Sequence, residues 1–227
     1  MLTFSDGSMS YLRAERGFSL PELLLAILGT SVVMAAGLSL LVAVLSANNT
    51  NIELSRLHQD LHMVMDTLSR DIQRAGYHPS AAKERALSQL DPHSWARLLT
   101  FLPDEDLHPH LQSAQCLRLK FWDKEAHPSA RVLGRVYYFD ALNQSIKLKV
   151  LDENALSVEL SRVCRGGNQL IPRQDVLITQ LAFRLSPNNQ VLGVRSLILS
   201  LSGVSARQPQ LSYHLQRQVL LRNQASL

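Results

Sequence analysis

Glu22 is the residue whose chemistry fits its sequence surroundings least. It directly precedes the most apolar run of the chain, Leu23 to Ala47, and no residue from Leu23 to Asn51 is charged. An isolated carboxylate in apolar surroundings is costly unless a cation pairs with it. The sequence therefore predicts that Glu22 has a positively charged partner.

The apolar run itself has the length of a membrane span. Residues 23–47 are mostly Leu, Val, Ala and Ile, and about 20 such residues in a helix cross the hydrocarbon core of a bilayer. Arg13 and Arg16 precede the run, whereas uncharged Asn48, Asn49, Thr50 and Asn51 follow it. By the positive-inside rule, we expect the N-terminus in the cytoplasm and the rest of the chain on the other side of the membrane.

Three interpretations of this N-terminal region compete. A secretory signal would be cleaved near Ala36, and a plain anchor would not be cleaved; both leave Glu22 unexplained. In the third interpretation the chain is cut between Gly17 and Phe18, on the cytoplasmic side of the apolar run. The cut creates a new amine at Phe18 and makes Glu22 the fifth residue of the mature chain.

The third interpretation rests on a resemblance to a known signal. Gly17, Phe18, Ser19, Leu20 and Glu22, followed by the Leu-rich run, resemble the class III signal of type IV pilins and type II secretion pseudopilins. The resemblance implies that a prepilin peptidase cleaves after Gly17 and that the amine of Phe18 is methylated. It also implies that Glu22 pairs with the N-terminus of a neighbouring subunit during assembly.

Two features depart from the commonest form of this signal. The leader of 17 residues is longer than the shortest examples, and Pro21 stands where many members have Leu. Proline is tolerated in the first turn of a helix, where its missing N–H would have no helical partner. We therefore expect Pro21 to leave the helix intact.

A helical pattern continues beyond the apolar run. Steps of three and four residues, typical of an amphipathic helix, separate Leu54, Leu57, Leu61, Val64, Leu68, Ile72 and Ala75. Gly76 and Pro79 then predict the helix end. The motif LSRDIQRAGY at residues 68–77 resembles the helix end of PilW-type minor pilins and of prepilin peptidase-dependent protein B, relatives of the J-type minor pseudopilins.

The second half of the chain alternates with the period of β-strands. The pattern predicts a strand from Cys116, a hairpin of Val132–Phe139 with Ser145–Leu151, and strands at Val176–Ser186, Arg195–Ser202 and Tyr213–Arg222. A helix followed by strands indicates an α+β fold, which the resemblance makes pilin-like. We expect a cleaved leader at 1–17, a transmembrane half-helix at 18–47, an amphipathic half-helix at 48–76 and a β-rich head at 77–227.

Two cysteines and two histidines are further side chains that could carry chemistry. Cys116 and Cys164 are too far apart for a CxxC motif, so they predict one disulfide in an oxidising compartment, or two buried thiols in the cytoplasm. A head outside the membrane favours the disulfide. His58 and His62 lie four residues apart without an evident third ligand, so they are interpreted as surface histidines and no metal site is predicted.

No pattern in the sequence indicates catalysis. No nucleophile, base and orienting group occur at a recognisable spacing, and Arg165-Gly166-Gly167-Asn168 reads as a turn. We expect no enzyme and no cofactor. The formal charge of +4 comes from basic and acidic residues spread along the chain, without basic blocks, so no nucleic-acid partner is predicted.

The resemblance implies a minor pilin that helps initiate or cap assembly of a type IV pilus. The implied partners are prepilin peptidase, other minor and major pilins, the inner membrane and the pilus assembly platform. The implied location is the inner membrane, with one pass and a periplasmic head. The alternatives are a J-type minor pseudopilin of a type II secretion system and an anchored periplasmic binding domain.

Overall fold

The structure is a computed structural model that describes residues 17, 19–79, 98–109, 114–123, 132–186 and 195–223. Contacts divide the chain into two compact units, residues 1–50 and 51–227. The helix α1, Leu20–Arg74, contributes to both units. The structure thus confirms the predicted long N-terminal helix, which ends at Arg74.

In the first unit, helix α1 has no buried face. Residues 20–49 are all exposed, as the nearly uniform apolar composition of the run leads us to expect. In the second unit one face of α1 is buried, including Leu57, Leu61, Val64, Leu68 and Ile72. The amphipathic pattern therefore predicted the packed face correctly, because side chains three and four residues apart lie on one side of a helix.

The second unit contains two antiparallel sheets. The first has the strand order β1-β2-β3-β4-β5 and the second has the order β6-β7-β8. Their bounds are Leu107–His108 (β1), Cys116–Trp122 (β2), Val132–Asp140 (β3), Ser145–Leu151 (β4), Asn168–Gln169 (β5), Val176–Leu185 (β6), Ser196–Ser205 (β7) and Ser212–Leu220 (β8). The predicted hairpin corresponds to β3 and β4, and the last three predicted strands correspond to β6, β7 and β8.

Short helical segments connect some of these strands. Helix α2 is Pro103–Asp106, helix α3 is Leu160–Val163, and a 3₁₀ helix covers Glu153–Ala155. The two sheets meet where Ala114 and Phe183 exchange backbone hydrogen bonds of 3.0 and 2.7 Å. The backbone N–H of Ile178 also donates to the carbonyl of Gln144 at 2.8 Å. These bonds join the sheets around a shared apolar core.

The main core lies between helix α1 and the inner faces of both sheets. Phe101, Leu117, Leu119 and Tyr137 contribute from the first sheet and its preceding loop, and Leu197, Leu199 and Leu201 contribute from β7. Burying a side chain of this size contributes about 1.5–3 kcal/mol relative to leaving it in water. This core accounts for the amphipathic pattern of the second half of α1.

A second apolar cluster covers the opposite face of the first sheet. Leu156, Leu160 and Val163, from the segment between β4 and β5, pack there against Val132 and Val136 of β3. The alternation in β2 places Arg118 and Lys120 on this face, yet their side chains are only 4% exposed. The first sheet is therefore covered on both faces in this region.

Asp106 neutralises these buried cations. Its carboxylate is fully buried and accepts hydrogen bonds from Arg118 Nε at 2.7 Å and from the backbone N–H of Leu102 at 2.9 Å. Lys120 Nζ lies 2.9 Å from the same carboxylate. A carboxylate that accepts several charge-assisted bonds compensates for the cost of burying the charges. Asp106 therefore belongs to the interior, whereas its neighbours Asp104 and Glu105 are exposed.

Gly76 ends the long helix in a conformation that disfavours other residues. Its φ is +77°, and a Cβ atom there would lie 2.4 Å from the backbone oxygen of Asn223. The side-chain amide of Asn223 donates to the carbonyls of Gln73 and Ala75, at 3.1 and 3.3 Å. Both the left-handed backbone and this close approach of a second segment require glycine at position 76.

We expect Gly76→Ala to lower the free energy of unfolding by about 2–4 kcal/mol, combining backbone strain with displacement of Asn223. Gly166→Ala is the matched control, because Gly166 has a φ of +75° but no atom within 4 Å of its Cβ position. In this control the free energy of unfolding should fall by only about 1–2 kcal/mol, because backbone strain is its only cost. Urea unfolding followed by circular dichroism measures both, and equal losses would contradict the steric role of Asn223.

Candidate assembly site

The segment predicted to be processed lies at the start of helix α1. Gly17 is exposed, and the carbonyl of Ser19 accepts the backbone N–H of Leu23 at 3.1 Å. Glu22 lies in the first helical turn and is exposed. Phe18 and residues 1–16 lie outside the described residues, so the structure does not test the predicted cleavage.

Glu22 lies at a favourable place on its own helix but has no cationic partner among the described residues. A negative charge in the first turn interacts favourably with the positive end of the helix dipole. Within the described part of the chain, no basic side chain forms an ion pair with Glu22. The partner that the sequence predicts is thus not supplied by the described residues of the same chain.

The first half of α1 has the properties of a membrane-crossing helix. Among the described residues, α1 is the one helix that is long and apolar enough to cross a bilayer. Three of its hydroxyl groups donate to carbonyls of their own helix: Thr30 Oγ1 to Ala26 at 2.9 Å, Ser31 Oγ to Leu28 at 2.8 Å and Ser39 Oγ to Ala36 at 2.8 Å. Such bonds satisfy hydroxyl groups where water is absent.

Gly29 and Gly37 form a shallow apolar depression on this part of α1. Val33, Met34, Leu38 and Leu41 line the same depression, and neither glycine has an atom within 4 Å of its Cβ position. Small residues two turns apart allow another helix to approach closely in lipid. The depression is therefore a surface suited to helix–helix packing.

A buried carboxylate, Asp71, connects helix α1 to the first sheet. Arg135 Nη1 donates to both carboxylate oxygens of Asp71, at 2.9 and 2.7 Å, and the hydroxyl of Tyr137 donates to one of them. Asp71 is 6% exposed and Tyr137 is fully buried. These bonds fix the height and rotation of the helix on β3, because each donor comes from an adjacent inward position of that strand.

The pKa values of Tyr137 and Arg135 are both raised in this network. Burial raises the pKa of Tyr137, and the charge and hydrogen bond of Asp71 raise it further. For Arg135, burial opposes ionisation, but the hydrogen bond and charge of Asp71 raise its pKa overall. The tyrosine therefore remains a hydrogen-bond donor and the arginine remains a cation.

A second pair joins the same helix to β8 at the surface. Arg217 Nη1 lies 2.5 Å from Asp66 Oδ1 and 3.2 Å from Ser69 Oγ. The hydrogen bond from Arg217 lowers the pKa of Asp66. Asp66 and Arg70 are also spaced for an ion pair along the helix, yet the described contact of Asp66 is with β8.

Cys116 and Cys164 form the predicted disulfide, with Cα atoms 6.1 Å apart. The bond connects β2 to the end of helix α3, and so holds the segment that covers the outer face of the first sheet. Closing a loop of 48 residues stabilises a fold by about 4 kcal/mol in the chain-entropy account. The disulfide has a structural role in this arrangement.

The two helical histidines lie against an aromatic ring. The centroids of His58 and Tyr213 are 3.8 Å apart, and those of His62 and Tyr213 are 6.1 Å apart. In the part of the chain that the structure describes, no three side chains of metal-binding type form a cluster. His58 contributes to the packing of α1 on β8.

Sequence reasoning missed the Asp71 network, although a signal for it was present. Asp71 lies three residues after Leu68 and four before Ala75, within the apolar stripe of the helix. A carboxylate in such a stripe indicates a buried charge with a partner. The identity of the partners depended on which residues of β3 lie opposite the helix, and the sequence pattern does not specify that.

These features define a class of protein. A long helix that is apolar all round in its first half, and that packs through one face of its second half onto antiparallel sheets, is a pilin-like fold. Over residues 50–221 the chain matches the family of prepilin peptidase-dependent protein B. Because this match covers more than half of the chain, the chain belongs to that family and is a prepilin peptidase-dependent, pilin-like protein.

The comparisons leave some predictions open. No curated protein and no solved structure is significantly similar to the chain. The family match begins at Thr50, so Gly17, Phe18 and Glu22 lie outside it and their roles stay predictions. The family resemblance is confirmed, whereas the PilW type stays a prediction.

We expect Asp71→Asn to lower the free energy of unfolding by about 2–3 kcal/mol, because it leaves Arg135 and the Tyr137 hydroxyl without their charged acceptor. Asp66→Asn is the matched control, since Asp66 lies on the same helix and also pairs with a strand arginine but is exposed. The control should change stability much less. Urea unfolding measures both variants, and equal effects would contradict a special role for the buried carboxylate.

Proposed function

We propose that this protein is a non-catalytic minor pilin that helps initiate or cap assembly of a type IV pilus. The observation that carries the proposal is Glu22, an exposed carboxylate at the start of an exposed apolar helix. Among the described residues of the chain, Glu22 forms no ion pair. Membership of a prepilin peptidase-dependent family supports the same interpretation. Helix α1 is the assembly element, and the second unit provides the surface that selects neighbouring subunits.

Assembly begins with processing on the cytoplasmic side of the inner membrane. Prepilin peptidase cleaves between Gly17 and Phe18 and methylates the new amine, while the second unit lies in the periplasm. The exposure of Gly17 supports access of the peptidase to this bond. An oxidising periplasm agrees with the disulfide between Cys116 and Cys164.

Glu22 then pairs with the N-terminal amine of a neighbouring subunit. In a medium of low dielectric constant, an unpaired carboxylate is strongly unfavourable, whereas a contact with a cation offsets the loss of hydration. The charge therefore favours the one axial position of two helices at which the ions meet. The open depression at Gly29 and Gly37, which would let a second helix approach closely, supports the same helix–helix contact.

N-terminal mass analysis tests the processing step. Expressed together with a prepilin peptidase, the chain should begin at methylated Phe18. Gly17→Val should abolish cleavage because the peptidase requires a small residue before the cut, whereas the control Gly29→Val, inside the apolar run, should be processed normally. A chain that begins near Ala36 or at Met1, or normal cleavage of Gly17→Val, would refute the class III signal.

The role of Glu22 is tested by assembly. Glu22→Gln keeps the shape of the side chain and should still be cleaved, but incorporation into filaments should fall about tenfold or more, since loss of about 1.4 kcal/mol is sufficient for that. Ser31→Ala is the control, because its hydroxyl bonds only to its own helix in the structure. Immunoblots of sheared filaments measure incorporation, and wild-type levels for Glu22→Gln would disprove the pairing role.

A further inference from the structure

Three loops of the second unit meet at one end of its sheets. They are the β3–β4 turn at 141–144, the segment 172–175 before β6 and the β7–β8 loop at 206–211. Arg173 Nη1 donates to Asn143 Oδ1 at 3.3 Å, and the backbone N–H of Ala206 donates to the carbonyl of Asp175 at 3.0 Å. Each loop therefore contacts the next one, and together they form a continuous surface, here called the entry surface.

The chain enters the second unit at this surface. Arg207 Nη1 lies 3.3 Å from Glu53 Oε1, and Glu53 is the third residue of the unit. The apolar run ends at Ala47, six residues earlier, and six residues of chain reach at most about 20 Å. If α1 crosses the membrane as proposed above, the entry surface is within reach of the lipid headgroups.

Leu142 is the most exposed large apolar side chain described outside α1. It is 95% exposed at the tip of the β3–β4 turn, at the opposite end of β3 from Val132. Leu220, which is 51% exposed, lies at the other end of the second sheet, near the residues that cap the end of α1. The chain thus carries a fully exposed leucine at its entry surface and a half-exposed one at the far end.

The charges around Leu142 are compatible with a phosphate-rich surface. Exposed Arg173 lies beside the turn through its bond to Asn143. Three acidic groups at this end have basic partners: Asp140 with Lys147 at 3.0 Å, and Asp175 and Glu53 with Arg207 at 3.7 and 3.3 Å. A fourth, Asp60, lies near Asp175, and the nearby charge of Arg56 partly offsets it. Paired carboxylates repel lipid phosphates less than free ones, while guanidinium groups bind phosphate well.

We propose that the β3–β4 turn inserts Leu142 into the lipid surface beside the membrane anchor, with Arg173 at the level of the lipid phosphates. This inference rests on the anchoring proposed above. Insertion of a single leucine is weak in a free protein. In a membrane-anchored protein, the anchor keeps the turn next to the lipid surface. The resulting high effective concentration lets a weak contact set the orientation of the second unit.

Spin labelling of the processed full-length chain in nanodiscs of phosphatidylethanolamine and phosphatidylglycerol tests this contact. Both native cysteines are in the disulfide, so an introduced cysteine provides a single free thiol. Nitroxides are attached in three variants, Leu142→Cys, Leu220→Cys and Val33→Cys, the last within the apolar run. Power saturation then measures how often each nitroxide collides with oxygen, which partitions into lipid, and with a nickel chelate, which stays in water.

We expect the Leu142 and Val33 labels to show several-fold fewer nickel collisions, relative to oxygen, than the Leu220 label. A Leu142 label as accessible as the Leu220 label, with Val33 protected, would overturn the lipid contact and leave the anchor intact. An accessible Val33 label would overturn the anchor itself. Spin–spin broadening at Leu142 would assign the surface to a second copy of the chain and likewise overturn the lipid contact.

A second variant tests whether Leu142 itself produces the contact. With a label at Gln210, on the β7–β8 loop of the same surface, Leu142→Asp should increase nickel accessibility several-fold, because a charged side chain opposes insertion. Leu220→Asp is the control and should leave the Gln210 label unchanged. Since both leucines are exposed, neither substitution disturbs the core. An unchanged Gln210 label in Leu142→Asp would contradict insertion.

Discussion

The carboxylate of Asp71 is the interaction on which the arrangement of helix and sheet depends. It is buried, so its charge is tolerated only with Arg135 and Tyr137 in place. An apolar face alone permits a helix to slide or rotate by small steps on a sheet. A buried ion with directional donors excludes those alternatives, and it lies close to the end of α1, where Gly76 and Asn223 hold the terminus.

Helix α1 meets two different requirements along its length. Its first half is apolar on every side, and the hydroxyl groups of Thr30, Ser31 and Ser39 bond to carbonyls of the same helix, as a helix without water requires. Its second half is apolar on one face and polar on the other, as packing on a sheet in water requires. Four uncharged residues, Asn48 to Asn51, separate the two patterns.

The second unit relies on a covering layer as well as on the helix. The segment between β4 and β5 covers the outer face of the first sheet, and the disulfide joins this segment to β2. The cover explains why Arg118 and Lys120, on the polar side of an alternating strand, are nevertheless buried. Asp106 compensates their charges inside the protein, where an unpaired ion would be unfavourable.

The sequence by itself determined the long helix, its packed face and the β3–β4 hairpin, and it left the two cysteines only one possible pairing. In each case the signal is local periodicity or, for the cysteines, the presence of only two thiols. Tertiary structure alone decided the partners of Asp71, the burial of Arg118 and Lys120, and the meeting of Leu142, Arg173 and Arg207 at one surface. These depend on which distant strands lie side by side, and periodicity shows which face a residue occupies but not what the fold places against it.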